Sequence, residues 1–350
     1  MAPPTDSSTA APPSTRLSRG LSLSIAIGAL VYLGFGAFAG FAELGERLGA
    51  FHPLRFLAAM ALASVNYALR FVKWEVFLRQ LGVRIALSHS LGIYLAGFAL
   101  TVTPGKVGEV LKSYLLKRSE GVAIARTAPI VLAERVTDLV ACLLLVVAGV
   151  FAFGSSPRVL TVITAGALLL TAIVLPVAWP ALGRFLIDLL ARLPGVRRFG
   201  PKLVELHDAT QEVLAPRPFL IALALSLVAW AAECACFHVV VHGFTPVGPE
   251  PIVASLLLCT FIYAFTSVAG ALSFLPGGLG VQEGAMVGLL IAAGGAIDRA
   301  TASAATIVTR LATLWYAVVL GVIALMVVER QLARRAAAAG APLPESLERG

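Results

Sequence analysis

The sequence predicts an all-α, polytopic membrane protein built as an inverted repeat. It would have six full spans plus two broken or re-entrant helical hairpins, or eight spans if the hairpins cross. Three observations carry this. The chain is 59% hydrophobic and 13% charged, with a mean hydropathy of +0.90, whereas soluble domains are roughly 25% charged. Several apolar runs reach the roughly 20 residues needed to span a bilayer. Two related breaks, Thr101-Val-Thr-Pro-Gly-Lys-Val-Gly-Glu-Val110 and Ser273-Phe-Leu-Pro-Gly-Gly-Leu-Gly-Val-Gln-Glu283, interrupt apolar regions in the two halves.

A Pro-Gly pair stops a helix, because Pro lacks an N–H and Gly leaves φ unrestrained. Inside a bilayer the freed backbone groups must face protein, water or a bound polar group. Breaks at matching places in two halves are the sequence signature of a transport site. Each break is also followed by an arginine in an apolar run: Arg135 comes 26 residues after Glu109 and Arg310 comes 27 after Glu283.

The elements follow in order. Residues 1–18 are rich in Pro, Ser, Thr and Ala and read as a disordered tail. The transmembrane domain is expected over residues 19–330. Leu21–Ala42 is too long for a signal-peptide core and reads as a retained first span. A second span, Leu54–Leu69, is expected to emerge at Arg70, Lys73 and Trp74, with Tyr67 and Trp74 at the interface. Leu91–Val102 covers only about 18 Å as a helix and reads as one arm of a re-entrant hairpin. Lys106–Arg118, with Lys112, Lys117 and Arg118, carries the chain back out. Spans are then expected over Thr127–Phe153, Val159–Trp179 and Phe219–Val241. Ile252–Leu275 and Val281–Ala296 form the second hairpin, and Ala300–Val328 is the last span. Between the halves, residues 181–217 read as a cytoplasmic amphipathic segment in two pieces split at Pro194-Gly195. Residues 331–350 are expected to be a cytoplasmic tail.

Basic residues set the orientation. With Arg16 and Arg19 inside, the segments Arg70–Arg84, Lys112–Arg126, Arg184–Arg217 and Arg330–Arg335 also fall inside, so both termini are expected in the cytoplasm. The first hairpin then starts from the cytoplasm and the second from outside, which gives halves of opposite topology. Most of the basic residues behind the net charge of +8 are used in this way, and no basic domain outside the membrane suggests nucleic acid. Cys142, Cys234, Cys236 and Cys259 all lie in apolar runs and read as buried small hydrophobes. His238 and Cys236 do not share a helix face, so no metal site is expected. No Ser/His/Asp set, HExxH, Walker loop or GxGxxG appears, so neither a catalytic site nor a cofactor is expected.

The candidate site residues divide into two sets. A helix restarting at a break points unpaired N–H groups and its positive dipole end inward. Gly105, Gly108, Gly277, Gly278 and Gly280 would let an anion, phosphate above all, approach that backbone; kinks that serve helix packing are the other reading. Charges in apolar runs need partners. Arg135 and Asp138 are three residues apart and can pair on one helix face. Alternatively Arg135 and Arg310 face a central cavity and hold a phosphate bidentately, with Lys106 beside them. Glu109 and Glu283 would cap the restarted helices, pair with the arginines or carry a coupling proton, and Glu134 sits next to Arg135.

Pro104-Gly-x-x-Gly-Glu109, Glu134-Arg135-x-x-Asp138, Lys73-Trp74, Leu275-Pro-Gly-Gly-Leu-Gly-x-x-Glu283 and the late Arg310 together resemble the lysylphosphatidylglycerol synthase transmembrane domain family, over roughly residues 20–330. These are flippase-like integral membrane proteins. The resemblance implies a cell inner-membrane protein linked to moving polar or glycosylated lipids between leaflets. Two-domain members carry a soluble aminoacyltransferase domain after the membrane part. This sequence ends at Gly350 without one, so aminoacylation is not implied. The expected partner is therefore a membrane lipid with an anionic head group. Two alternatives stand beside it: a non-transporting membrane partner of a lipid-modifying enzyme, and a proton-coupled carrier of a small anion.

Overall fold

A computed structural model of the chain describes residues 28–102, 107–150, 179–193, 200–245, 252–293 and 297–338, with position 26 and isolated positions from 161 to 176. Among them every regular element is a helix. The predicted tail at 1–18, nearly all of the predicted span at 159–179 and the Pro194-Gly195 split fall outside the described residues.

Helix α1 (Gly28–Ala39) meets α2 (Phe41–Ala50) at 103°, which corrects the single straight span expected over 21–42. The hinge is Gly40, at φ 86, a left-handed conformation that costs glycine little. The chain then enters α3 (Pro53–Gln80), with Pro53 in its first turn and the His52 side chain accepting the Leu54 N–H at 3.2 Å. Helix α4 (Leu87–Ala96) tightens into a 3-10 turn, Gly97–Leu100, before the first break, and α5 (Val107–Glu120) and α6 (Ile124–Val150) follow. After α7 (Pro180–Leu190) and α8 (Gly200–Val213) come α9 (Pro216–Phe244) and α10 (Ile252–Leu272). The second break holds a 3-10 turn, Pro276–Gly278, and leads to α11 (Val281–Ala292). Helices α12 (Arg299–Arg310) and α13 (Tyr316–Ala338) are joined by one π turn, Leu311–Trp315.

Four described helices are long and apolar enough to cross a membrane: Pro53–Gln80, Pro216–Phe244, Ile252–Leu272 and the combined Arg299–Arg335. The bent α1–α2 pair makes a fifth if it is read as one span. Helix α6 has the length, at 27 residues, but carries Glu134, Arg135 and Asp138. The two hairpins are unequal. The first arm of one is the 10-residue α4 with its 3-10 turn, while the first arm of the other is the 21-residue α10, about 31 Å long.

Two further boundaries move. The rod α3 continues past Leu69 as one helix to Gln80, and Tyr67, Lys73 and Trp74 are buried within the protein. The last helix runs into the expected tail as far as Ala338. That extension is Ala- and Arg-rich, a helix-favouring composition, and Arg335 reaches Glu120 of α5 at 3.6 Å.

The apolar interior has two main parts. One joins Phe237 and Val240 of α9 to Ile262 of α10, Met286 of α11 and Ala305 of α12. The other joins Trp74 and Phe77 of α3 to Ile93 of α4, Leu115 of α5, Ile130 of α6 and Val328 of α13. Helix α13 lies so close to the 3-10 turn that a Cβ at Gly321 would fall 2.2 Å from the Ala99 nitrogen. Outside the core, α7 exposes Phe185, Leu189 and Leu190, while Arg184 pairs with Asp208 of α8 at 3.0 Å. An apolar flank beside a charged one suits the edge of a bilayer.

Candidate functional site

A cavity of about 590 Å³ takes its walls from both interior clusters, Tyr94 from one and Tyr263 from the other. Arg70, Lys112, Arg135 and Arg310 line it, and so do Glu134, Asp138 and Glu233. The second break closes one side through Phe274, Leu275, Gly277 and Gly278.

The densest charge cluster centres on Asp138 of α6. Its Oδ2 accepts from Arg70 at 3.0 Å and lies 3.7 Å from Arg135. Its Oδ1 accepts from Lys73 at 2.5 Å and from the Ser226 hydroxyl at 3.0 Å. The Lys73 ammonium also donates to Ser226 at 2.8 Å and to Thr137 at 3.4 Å, which uses all three of its N–H groups. Three cations thus meet one carboxylate. Lys73 is fully enclosed, whereas the Arg70 and Arg135 side chains keep 19% and 32% of their surface exposed. The two arginines of the cluster therefore face the cavity.

Beside it, Lys112 of α5 donates to Glu134 at 2.6 Å and sits over the Trp74 ring, 4.4 Å from its centroid. Here charge is matched one to one. Lys112 was expected to lead the chain out of the membrane, and Arg70 and Lys73 were expected at an interface; all three instead turn inward.

At the second break Arg310 is also matched. Its Nε donates to Glu283 Oε1 at 2.5 Å, while its other nitrogens donate to Gln282 at 3.0 Å and to the Gly277 carbonyl at 2.6 Å. Gln282 is fixed in turn by donating to Ser267 at 3.1 Å. The other oxygen of Glu283 accepts the Gly280 N–H at 2.7 Å, at the start of α11. Two of the three roles left open for Glu283, helix cap and arginine partner, are filled together, one by each oxygen.

This corrects part of the expected site. Glu283 is fully enclosed, and neither it nor Gly280 is on the cavity wall. The restarted end of α11 is closed by its own carboxylate, so the Gly280 N–H is taken. Gly277 and Gly278 do line the cavity, at φ 60 and 69. A Cβ on Gly278 would approach Gly270 to 3.1 Å, so glycine there also serves the turn and its packing. Gly105 and Lys106 lie outside the described residues, and of Gly108 and Glu109 only the backbone, in the first turn of α5, is described.

A π turn follows directly after Arg310, and the Tyr67 hydroxyl donates to the Thr313 carbonyl within it at 2.5 Å. Such turns recur at functional positions. Among the described residues no three His, Cys, Asp or Glu side chains come together in a way that would hold a metal.

Sequence reasoning placed Arg135, Asp138 and Arg310 but missed Arg70, Lys73, Lys112, Gln282 and Tyr263. A signal for two of them was present: Arg70 and Lys73 continue the stripe of Ala59, Ala63, Asn66, Tyr67, Trp74 and Phe77 at helical spacing.

Apolar helices, two breaks and a charged cavity between them define a helical integral membrane protein. The chain belongs to the family described as the lysylphosphatidylglycerol synthase TM region, whose profile matches residues 22–321. It is similar to two UPF0104 membrane proteins of Methanothermobacter thermautotrophicus. One is 23% identical over 308 residues, covering 81% of this chain and 88% of the relative. The other is 24% identical over 334 residues, covering 88% and 93%.

Proposed function

We propose that this protein moves an anionic polar or glycosylated lipid between leaflets, with the head group passing through the cavity while the tails stay in the bilayer. The carrying observation is the set of cations on the cavity wall: Arg70 and Arg135, which share Asp138 with the enclosed Lys73, both reach the cavity, and Lys112 and Arg310 line it beside them. An anion in the cavity would meet Arg70 and Arg135 through charge-assisted and bidentate hydrogen bonds. Arg310, already balanced by Glu283, holds the second break in shape. The family description, the membrane region of a synthase named for a lipid, supports a lipid as cargo.

The arrangement we propose around this site is six spans plus two hairpins, or eight spans, in two halves of opposite topology with both termini in the cytoplasm. The distribution of Lys and Arg supports that orientation. Cysteine labelling from each side of the membrane at Arg47 and Arg330 tests it; labelling of both from one side overturns it.

Reconstituted vesicles test the function. The wild type is expected to move head-group-labelled phosphatidylglycerol faster than phosphatidylcholine, and Arg135→Gln is expected to remove the difference. Equal rates for the two lipids in the wild type would overturn the reading. Inorganic phosphate uptake, in place of lipid movement, would reassign the site to a small anion.

A further inference from the structure

Among the described residues four carboxylates are buried at or beside the cavity, and three have cations: Asp138 with Arg70 and Lys73, Glu134 with Lys112, and Glu283 with Arg310. The fourth, Glu233 of α9, is different. It lines the cavity, is 7% exposed, and accepts a hydrogen bond from the Tyr263 hydroxyl at 2.8 Å. Among the described residues no cation lies within ion-pair distance of it. We propose that Glu233 is the proton-binding site of this cavity, taking up one proton when an anion settles beside Arg70 and Arg135.

The helices packed on α9 are α3, α6, α10 and α12. The groups they turn toward Glu233 are Tyr67 and Arg70 from α3, Asp138 and Cys142 from α6, Tyr263 from α10 and Arg310 from α12. From its own helix Cys234 and Cys236 lie near. With no anion bound, the positive charge of Arg70 faces Glu233. An arriving anion cancels that field and adds repulsion across a water-poor space, where charges act strongly on one another. A proton on Glu233 removes the repulsion, and the Tyr263 hydroxyl holds either form. The two ligands are then coupled reciprocally, so that the anion draws in the proton and the proton tightens the anion. Among the described residues no other carboxylate on the wall fits this role, because protonating Asp138 or Glu134 would strand its cations.

This rests on the anion reading of the cavity, so two measurements keep the ideas apart. The first uses no ligand. Infrared difference spectra recorded while the purified protein is titrated should show the carbonyl stretch of a protonated carboxylic acid, and Glu233→Gln should lack that band. If no band depends on Glu233, the proposal is overturned whatever the cavity binds. The second uses short-chain phosphatidylglycerol, whose phosphodiester does not itself titrate near neutrality. Its affinity for the wild type should rise as pH falls, by up to about tenfold per pH unit for a single coupled proton, with proton uptake visible in weakly buffered solution. Glu233→Gln should bind independently of pH, and Tyr263→Phe should move the midpoint. Binding without uptake overturns the proton site alone. A Glu233-dependent band without phosphatidylglycerol binding upholds the proton site and overturns the anion reading.

Discussion

The two arginines that the sequence singled out, Arg135 and Arg310, stand on one cavity wall but in opposite electrostatic settings. Arg310 is enclosed, with its charge balanced by Glu283 and its nitrogens also donating to Gln282 and Gly277. Arg135 is a third exposed and is the outermost of three cations around Asp138. An enclosed, fully bonded arginine fixes architecture; one that reaches the cavity can meet a ligand. Location in an apolar run is therefore a poor guide to the role of a buried arginine, and its exposure to the cavity is a better one.

The hardest test of the contrast is Asp138→Asn. It leaves Arg70, Lys73 and Arg135 without their shared counter-charge. Removing one side of a buried ion pair costs about 3–5 kcal/mol, and this variant is expected at or above the top of that range. Thermal unfolding in detergent measures it. A loss below about 1 kcal/mol would show that the cluster is not held together by its carboxylate. Arg310→Met comes next, with an expected loss of about 3–5 kcal/mol because Glu283 is left charged and enclosed. Adding Glu283→Gln should recover much of it, since residues within one network are not additive and couple by about 0.5–3 kcal/mol. Additive losses would mean that the pair does not act as a unit.

Arg135→Gln reverses the pattern. A side chain a third exposed and 3.7 Å from its partner contributes about 1 kcal/mol or less to stability. Its hydrogen bond to an anion, with charge on both sides, is worth about 1.5–3 kcal/mol, so affinity for short-chain phosphatidylglycerol should fall about 10- to 100-fold. Equilibrium binding and thermal unfolding on the same preparation separate the two effects. A large loss of stability with unchanged binding would move Arg135 into the architectural class.

The sequence made some of this legible for definite reasons. Apolar run length and the two Pro-Gly breaks are local properties, so the long helices and both interruptions could be read directly. Pairing with an arginine was one of the roles the sequence left open for Glu283, and the structure forms it with Arg310. Partner choice around Asp138 was hidden. It depends on how α3 is rotated against α6, and Arg70 and Lys73 look from sequence alone like the basic edge of a span. What keeps them inside is that α3 meets no helix breaker until Gly82, so its buried stripe simply continues. Lys112 was misread for a similar reason: its aromatic neighbours Trp74 and Tyr94 come from two other helices. The unequal first arms of the two hairpins were legible too, because Leu91–Val102 is a much shorter apolar run than Ile252–Leu275.

The smallest effect concerns a carboxylate outside the membrane, on the helix that carries Arg310. Asp298 caps α12 by accepting the Thr301 N–H at 2.7 Å, and Arg47 of α2 donates to its other oxygen at 3.0 Å. The Thr301 N–H first, and then Arg47, hold this carboxyl below its ordinary range. A lowered folded value means that the stabilisation is complete above the unfolded value of about 4 and disappears as pH falls through the folded one. Asp298→Ala should therefore cost about 1 kcal/mol near neutrality, the usual worth of a helix N-cap, with little added by a pair that is half exposed on both sides. The gap between wild type and variant should narrow on acidification. Raising the salt should trim it only slightly, because the backbone bond outweighs the ion pair. If the gap instead matched the several kcal/mol expected at Asp138, burial would not be what separates the costly carboxylates from the cheap ones, and the distinction drawn between the two arginine sites would lose its physical basis.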